Sequence, residues 1–313
     1  MVKKIIKRIG MVFAIIIGII VLFLLVLTII HRILLYAERE KIIPNGQLVE
    51  VNGYTMHVYI EGDNENAPLL VFLSGAGTSS PVNDFKPLYS LLSNEYRIAV
   101  VERIGYGYSE IADVPRDIDT ILSQTRAALA AIGESSPFIL IPHSMSGLES
   151  LRWAQLYPNE VAGIFGIDMA IPSVYLDNVI KVPSFQLAVL SASAQIGLSR
   201  FFPVSHLSLT TEEYKQARLL FYRNAVNKTF MNEARSVLDN ARLVKDGGIP
   251  DIPIFLLVSD GEELGAEWII YQEEFALQNN ARIEHFNSGH YIHHFEPERI
   301  ADLLCKFITA LYE

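Results

Sequence analysis

The sequence predicts an α/β protein: a mostly parallel β-sheet with helices on both faces, an N-terminal transmembrane helix ahead of it and a helical cap inserted into it. Three observations predict this. Short apolar runs alternate with helix-period segments down most of the chain. An uncharged apolar stretch fills the amino-terminal region, and one long later interval carries helical patterns alone. With 313 residues, half of them apolar, the chain can bury a large core, and disorder is excluded. Its one cysteine, Cys305, rules out an intrachain disulfide and any cysteine-only metal site.

The amino terminus reads as a membrane element. Ile9 to Ile30 is a run of 22 residues without a charge. At helical rise it spans roughly 33 Å, close to the hydrocarbon thickness of a bilayer. A signal peptide has a shorter apolar region followed by a small-x-small cleavage site, and Thr28-Ile29-Ile30-His31-Arg32 offers none. Lys3, Lys4, Lys7 and Arg8 precede the run with no acidic neighbour, whereas Arg32, Arg39 and Lys41 beyond it alternate with Glu38 and Glu40. The positive-inside rule then expects a single-pass cell-membrane protein, with its N-terminus cytoplasmic and the domain from about residue 45 outside.

Charge is unevenly placed. Residues 1–35 hold five basic and no acidic side chains, which leaves 20 basic against 35 acidic in the remaining 278. A body that acidic is repelled by a phosphate backbone, so no nucleic-acid partner is expected.

The elements of the body follow in order. Gln47–Val51 and Thr55–Ile60 flank Asn52-Gly53, the dipeptide of a tight hairpin whose two central residues need positive φ. Strands follow at Leu69–Leu73, Ile98–Glu102, Phe138–Ile141, Gly163–Asp168, Ile254–Val258 and Arg282–Phe286. Helical segments lie at Ile118–Ile132, at Gly147–Tyr157 before Pro158, and at Pro297–Leu311, where Ile300, Leu304, Phe307 and Leu311 share a face. Near-continuous apolar strands alternating with helices indicate a parallel sheet covered on both sides. Residues 171–250 lack a strand, and Thr210-Thr211-Glu212-Glu213 has the form of a capping box. The organisation expected is an anchor at 1–35, a core of 45–170 with 251–313, and a helical cap at 171–250.

Three turns carry chemistry. In Pro142-His143-Ser144-Met145-Ser146-Gly147 an apolar strand ends, a serine follows and a helix begins. A serine hydroxyl needs a base and exposure to act as a nucleophile. A sharp strand-to-helix turn supplies exposure, and the helix N-terminus favours developing negative charge. A serine there can equally be a plain helix cap. Its neighbours two positions away must be small, and Pro142 and Ser146 stand where two glycines are usual. Leu73-Ser74-Gly75-Ala76-Gly77, straight after a strand, is the second turn; small residues there leave the Ala76 N–H free to join the Met145 N–H as an oxyanion hole. The third, Asn287-Ser288-Gly289-His290, puts a histidine after the last strand, able to swing over a serine several strands away. A metal reading of His290, His293 and His294 has no supporting His-Glu-x-x-His or cysteine pattern. For an acid to orient the histidine there are three candidates: Glu262, Asp168 and Asp260.

Together these motifs resemble the α/β-hydrolase superfamily, in its cap-bearing branch with a serine nucleophile, over about residues 45–313. Met56-His57-Val58-Tyr59 is similar to the family's opening hairpin, and Ser74-Gly75-Ala76-Gly77 to its His-Gly oxyanion loop with serine in place of histidine. Glu102-Arg103-Ile104-Gly105-Tyr106-Gly107-Tyr108-Ser109 matches its Asp-Arg-x-Gly-x-Gly-x-Ser turn. His143-Ser144-Met145-Ser146-Gly147 matches its nucleophile elbow, and Gly289-His290 its catalytic histidine. The resemblance implies an α/β-hydrolase fold, and its spacing places Glu262, 28 residues before His290, at the acid position. Some members put the acid one strand earlier, which is Asp168. Serine at the elbow departs from the haloalkane dehalogenase and epoxide hydrolase branches, which use aspartate there.

The reading that follows is a membrane-anchored serine hydrolase that cleaves an ester, thioester or amide through an acyl-enzyme. Ser144 is the nucleophile, His290 the base, Glu262 the first choice of acid, and no cofactor is needed. The partner is a small-molecule acyl substrate, lipid-like if the cap residues Phe185, Leu187, Leu190, Phe201, Phe202, Phe221 and Tyr222 line its pocket rather than pack the cap. Acyl transfer and small-peptide cleavage use the same triad, and a non-catalytic binding protein would keep the scaffold without the chemistry.

Overall fold

The structure, a computed structural model, describes residues 2–181, 184–204 and 209–313. Helix α1 (Val2–Glu38) contains the whole predicted apolar run and continues two turns past it. It is the single helix among the described residues long and apolar enough to cross a membrane, with a mean hydropathy of 3.4 and none of its apolar window buried. A helix apolar on every side and uncovered by protein is a poor fit to water.

The predicted hairpin forms between β1 (Gln47–Val51) and β2 (Tyr54–Glu61), with Asn52 and Gly53 both at positive φ, +53° and +81°. The strands that follow are β3 (Leu69–Leu73), β4 (Arg97–Glu102), β5 (Phe138–Pro142), β6 (Val161–Ile167), β7 (Ile254–Val258) and β8 (Arg282–His285). They build one eight-stranded sheet in the order β1-β2-β4-β3-β5-β6-β7-β8. The β1–β2 and β2–β4 pairs are antiparallel and all others parallel.

Strands β3 to β7 are buried on both faces, which is why they read as near-continuous apolar runs, whereas the edge strand β8 is exposed or half-buried. Along β3, Leu69, Val71 and Leu73 point into one core while Leu70 and Phe72 point into the other. The first core is closed by α3 (Ile118–Ala131), α4 (Ser146–Leu156) and, later in the chain, α9 (Ala266–Gln278), through Leu122, Leu148 and Phe275. The second is closed by α2 (Pro81–Leu92) and α11 (Pro297–Tyr312), through Phe85, Leu88, Leu304 and Phe307. Register places the carboxyl ends of β3 and β5 side by side, Leu73 opposite Pro142.

Between β6 and β7 the chain leaves the sheet as α5 (Pro172–Leu176), α6 (Ser184–Gln195), a 3-10 turn (Leu198–Phe201), α7 (Thr211–Asn224) and α8 (Lys228–Asp246). The capping box at the start of α7 is present: Thr210 accepts from the Glu213 N–H and the Glu213 carboxylate reaches back to Thr210 N. Helices α2 and α9 are additions to the sequence reading. Pro87 inside α2 interrupts the pattern that marks a helix. Helix α9 starts after Gly265, without a capping side chain.

Candidate active site

Ser144 stands between the end of β5 and the start of α4, at φ +52°. A non-glycine residue in this region is held at a cost of about 1–3 kcal/mol and survives only where its surroundings dictate it. Here they do. Ser144 O accepts from Ala170 N at 2.7 Å and from Gly147 N at 3.0 Å. Gly147 must be glycine, because a Cβ there would lie 2.2 Å from Ala170 O. The replacements two positions either side are absorbed. Ser146 turns its hydroxyl inward, 2.6 Å from Leu73 O and 2.8 Å from His143 O. Past Pro142, which has no N–H to offer, the strand pairing continues through His143 N to Leu73 O at 2.9 Å.

The loop after β3 presses on this turn. A Cβ on Gly75 would come within 2.9 Å of Ser144 Cβ and 3.0 Å of His143 Nδ1. Buried Arg103 holds the loop from behind: its Nη2 donates to Ser74 O at 2.7 Å and to Gly75 O at 3.2 Å. With those carbonyls drawn inward, Ala76 is exposed on the site side, and it lines a cavity together with Ser144 and Met145. Among the described residues neither Ala76 N nor Met145 N has an acceptor within the protein.

His290 lies between β8 and a short helix, α10 (Ile292–Phe295), and is 8% exposed. Its Nδ1 is 2.5 Å from Asp168 Oδ2. Asp168 follows β6 directly, at φ +43°, and is fully buried. Its other oxygen accepts from Ser259 N at 3.0 Å and from the Trp268 indole N–H at 2.8 Å. Three donors around a buried carboxylate are what its burial requires.

The structure thus brings Asp168 to His290, and not Glu262, the first choice from sequence. Glu262 is exposed, and its backbone N–H donates to Asp260 Oδ1 at 2.9 Å. Asp260 is tied through its own N–H to Ser288 O at 3.0 Å. Strand order alone would favour the β7 loop, since β7 and not β6 lies beside β8; instead Ser259 N, in that loop, donates to Asp168 and helps hold its carboxylate toward His290, while Glu262 stays exposed. Ser144 and His290 make no direct hydrogen bond here. Such contacts are commonly loose until substrate is bound.

The residue before the serine joins the two halves. His143 Nε2 is 3.2 Å from His290 O, and the two rings are 4.6 Å apart. Burial, aided by the nearby His293 and His290, holds the His143 imidazole well below its ordinary pKa, so it stays neutral and donates to that carbonyl. Sequence reasoning does not single out His143, Trp268 or Arg103. Arg103 is visible within the Glu102–Ser109 turn, while Trp268 lies on a helix that gives no clear pattern.

His293 and His294 point elsewhere than His290. His294 Nε2 lies 3.0 Å from Asp84 Oδ1, and His293 Nε2 lies 3.4 Å from Asp84 Oδ2. The ligand atoms of these three residues fall within 4.8 Å of one another, and their mutual hydrogen bonds account for the cluster. The metal reading that grouped His290 with them therefore does not match the geometry.

Over Ser144 lies a mostly apolar cavity of about 150 Å³, lined by Met145, Tyr175, Phe230, Val237, Leu264 and Trp268 among others. The cap contributes to it, but through α5 and α8. Of the cap residues considered from sequence, Phe185, Leu190, Phe201 and Phe202 are exposed, Leu187 is half-buried, and Phe221 borders a separate cavity beside Asp84 and His294. Tyr222 is buried under the Arg200 guanidinium.

A strand order, an elbow and an acid–histidine pair of this kind define the class of protein, and comparison agrees. The family model for the alpha/beta hydrolase fold matches residues 68–297, and the chain belongs to that family. An uncharacterized protein, YbdG of Bacillus subtilis (strain 168), is 34% identical over 303 residues, covering 90% of this chain and 91% of that one. The enol-lactonase from Burkholderia xenovorans LB400 shares the fold with a TM-score of 0.64 at 17% identity, over 84% of this chain and 100% of that one. Wild-type Cfl2 from Burkholderia cenocepacia does so with a TM-score of 0.64 at 18% identity, over 84% and 95%.

Proposed function

We propose that the protein is a membrane-anchored serine hydrolase acting on an acyl ester, thioester or amide. The observation that carries this reading is the buried Asp168–His290 pair at 2.5 Å, beside a serine held at positive φ between strand and helix. Ser144 Oγ attacks the acyl carbonyl carbon and its proton passes to His290 Nε2. Asp168 keeps the Nδ1–H in place and stabilises the imidazolium that forms. The Ala76 and Met145 N–H groups receive the negative charge on the carbonyl oxygen. Collapse of the tetrahedral intermediate expels the leaving group, which takes the proton from His290, and leaves Ser144 acylated. Water then attacks the ester, giving its proton to His290, and the acid product departs as Ser144 regains its hydrogen.

The apolar cavity over Ser144 supports an acyl chain with little polarity, hence a lipid-like substrate. The apolar, uncovered α1 with basic residues before it supports an anchor whose N-terminus is cytoplasmic and whose catalytic domain lies outside. The test of the chemistry is labelling of membranes with a tagged fluorophosphonate. Wild type takes the label and Ser144→Ala does not; a folded wild type that stays unlabelled overturns the enzymatic reading in favour of a binding protein. Protease added to intact cells degrades the body if it is outside, and degradation only after lysis overturns that orientation.

A further inference from the structure

Residues 184–204 hold α6, the 3-10 turn and the segment after it, and they carry one charged side chain, Arg200. They are nonetheless at the surface. Phe185, Leu190, Phe201 and Phe202 are 79%, 54%, 71% and 64% exposed, and α6 packs against the turn that ends at Phe201. An acidic body has no shortage of charge for a solvated face. An exposed region so apolar marks an interaction site.

Its position along α1 identifies what covers it. From the amino terminus to Phe23 the described part of α1 is exposed on every side. From Leu24 onward one stripe is covered: Leu24, Leu27, Thr28, Leu35 and Glu38 are half-buried and His31 is buried. The turn of the cap is fastened to the lower part of this stripe. Arg200 donates to both carboxylate oxygens of Glu38, at 2.9 and 2.6 Å, and through Nε to His31 Nδ1 at 2.9 Å. A Cβ on Gly197 would lie 2.7 Å from His31 Cβ, so the turn sits flush on the helix. The uncharged run of α1 ends at Ile30, one residue before His31. Phe201 and Phe202, next in sequence to Arg200, are thus tied to the segment of α1 that follows its uncharged run, between His31 and Glu38. The only charge in residues 184–204, that of Arg200, is paired, and phenylalanine and leucine are side chains that interfacial segments bury at the headgroup boundary.

We propose that the face formed by α6 and the turn through Phe202 is seated in the outer interfacial layer of the bilayer that α1 crosses, with lipid acyl chains and glycerol carbonyls as its partner. This rests on the reading of α1 as a membrane anchor. The cap is then a second point of membrane contact, fixed to the first by the Arg200–Glu38 pair, and it holds the domain at a set height and orientation.

The test uses the full chain with Cys305→Ser, reconstituted in phosphatidylcholine vesicles that carry nitroxide-labelled lipid. Single cysteines replace Phe185, Phe201, Ile16 or Lys306 and bear an environment-sensitive fluorophore. Ile16 lies within the apolar run, and Lys306 is exposed on α11. Blue-shifted emission and loss of fluorescence to the nitroxide at positions 185 and 201, with neither at 306, is the expected result. Quenching at 16 while 185 and 201 behave like 306 overturns the cap inference and leaves the anchor standing. No quenching at 16 overturns the anchor reading and the inference with it.

Discussion

The indole N–H of Trp268 donates to Asp168 Oδ1 at 2.8 Å, on the opposite side of the carboxylate from His290. The same indole ring meets the His290 imidazole edge to face, with centroids 5.8 Å apart. Trp268 therefore fixes both members of the pair. It also lines the cavity over Ser144, so one side chain on α9 touches Asp168, His290 and that cavity at once.

Replacing Trp268 by phenylalanine removes one hydrogen bond to a buried carboxylate and keeps an aromatic ring. A bond to a charged group contributes about 1.5–3 kcal/mol, so thermal stability falls by about that amount. Turnover of a generic nitrophenyl ester falls with it, since Asp168 gains freedom to turn from His290. Unchanged stability and unchanged turnover would remove Trp268 from this role.

The choice of acid is open to a direct comparison. Asp168→Asn keeps the size of the side chain but favours the wrong imidazole tautomer, a change that lowers kcat by about 10⁴ in a serine-protease triad. A loss of about 10³–10⁴ is expected here, while Glu262→Gln, on an exposed side chain, leaves kcat within about two-fold. Kinetics on the same ester decide it, and the reverse pattern restores Glu262.

How much of this was legible in the sequence depends on range. Strand β3 was readable because Leu69–Leu73 feeds two cores alternately and so contains no polar residue. The hairpin was readable because Asn52-Gly53 has few other uses. Ser144 and His290 were marked by local turns. The partner of His290 was not, since Glu262 and Asp168 both follow a strand end, and what turns Asp168 toward the ring is its positive φ with the Ser259 N–H and the Trp268 indole, contacts from distant parts of the chain. The cap aromatics mislead for a related reason: an apolar side chain looks the same in sequence whether it lines a cavity or faces outward, and Phe201 and Phe230 took opposite courses.

Arg103 offers a prediction about the loop after β3, where the proposed oxyanion donor Ala76 lies. Its guanidinium is 2.8 Å from Glu233 Oε1 and 3.7 Å from Glu149 Oε2, all three buried, while Nη2 holds the Ser74 and Gly75 carbonyls. Arg103→Met leaves buried Glu149 without its cation and Glu233 with only Arg116, 3.7 Å away, which costs about 3–5 kcal/mol. Arg103→Lys retains the charge but not the fork, so it should fold better than the methionine variant yet still lose turnover through a displaced loop. Thermal melting separates the two variants, and full activity in Arg103→Lys would show that the loop holds itself.

The last prediction concerns acid. Burial, with help from neighbouring histidines, depresses the folded-state pKa of His143, and burial likewise depresses that of His293 against the upward pull of Asp84. Both rings are free to protonate near pH 6.5 once unfolded. Below that value the unfolded chain binds more protons than the folded one, so stability is fully present above about pH 6.5 and falls as pH drops, by up to about 1.4 kcal/mol per pH unit for each group. Asp84 behaves differently. Burial pushes its pKa upward, but hydrogen bonds from His293 and His294 prevail and hold it below the usual carboxylate range, so its contribution is lost only in stronger acid. Melting temperatures measured from pH 8 to pH 5 should decline below about 6.5, and His143→Asn, which cannot take up the proton, should flatten that decline by one group's share. An unchanged slope in the variant would mean that burial does not hold the folded His143 below its ordinary pKa, and the neutral imidazole beside His290 would be lost with it.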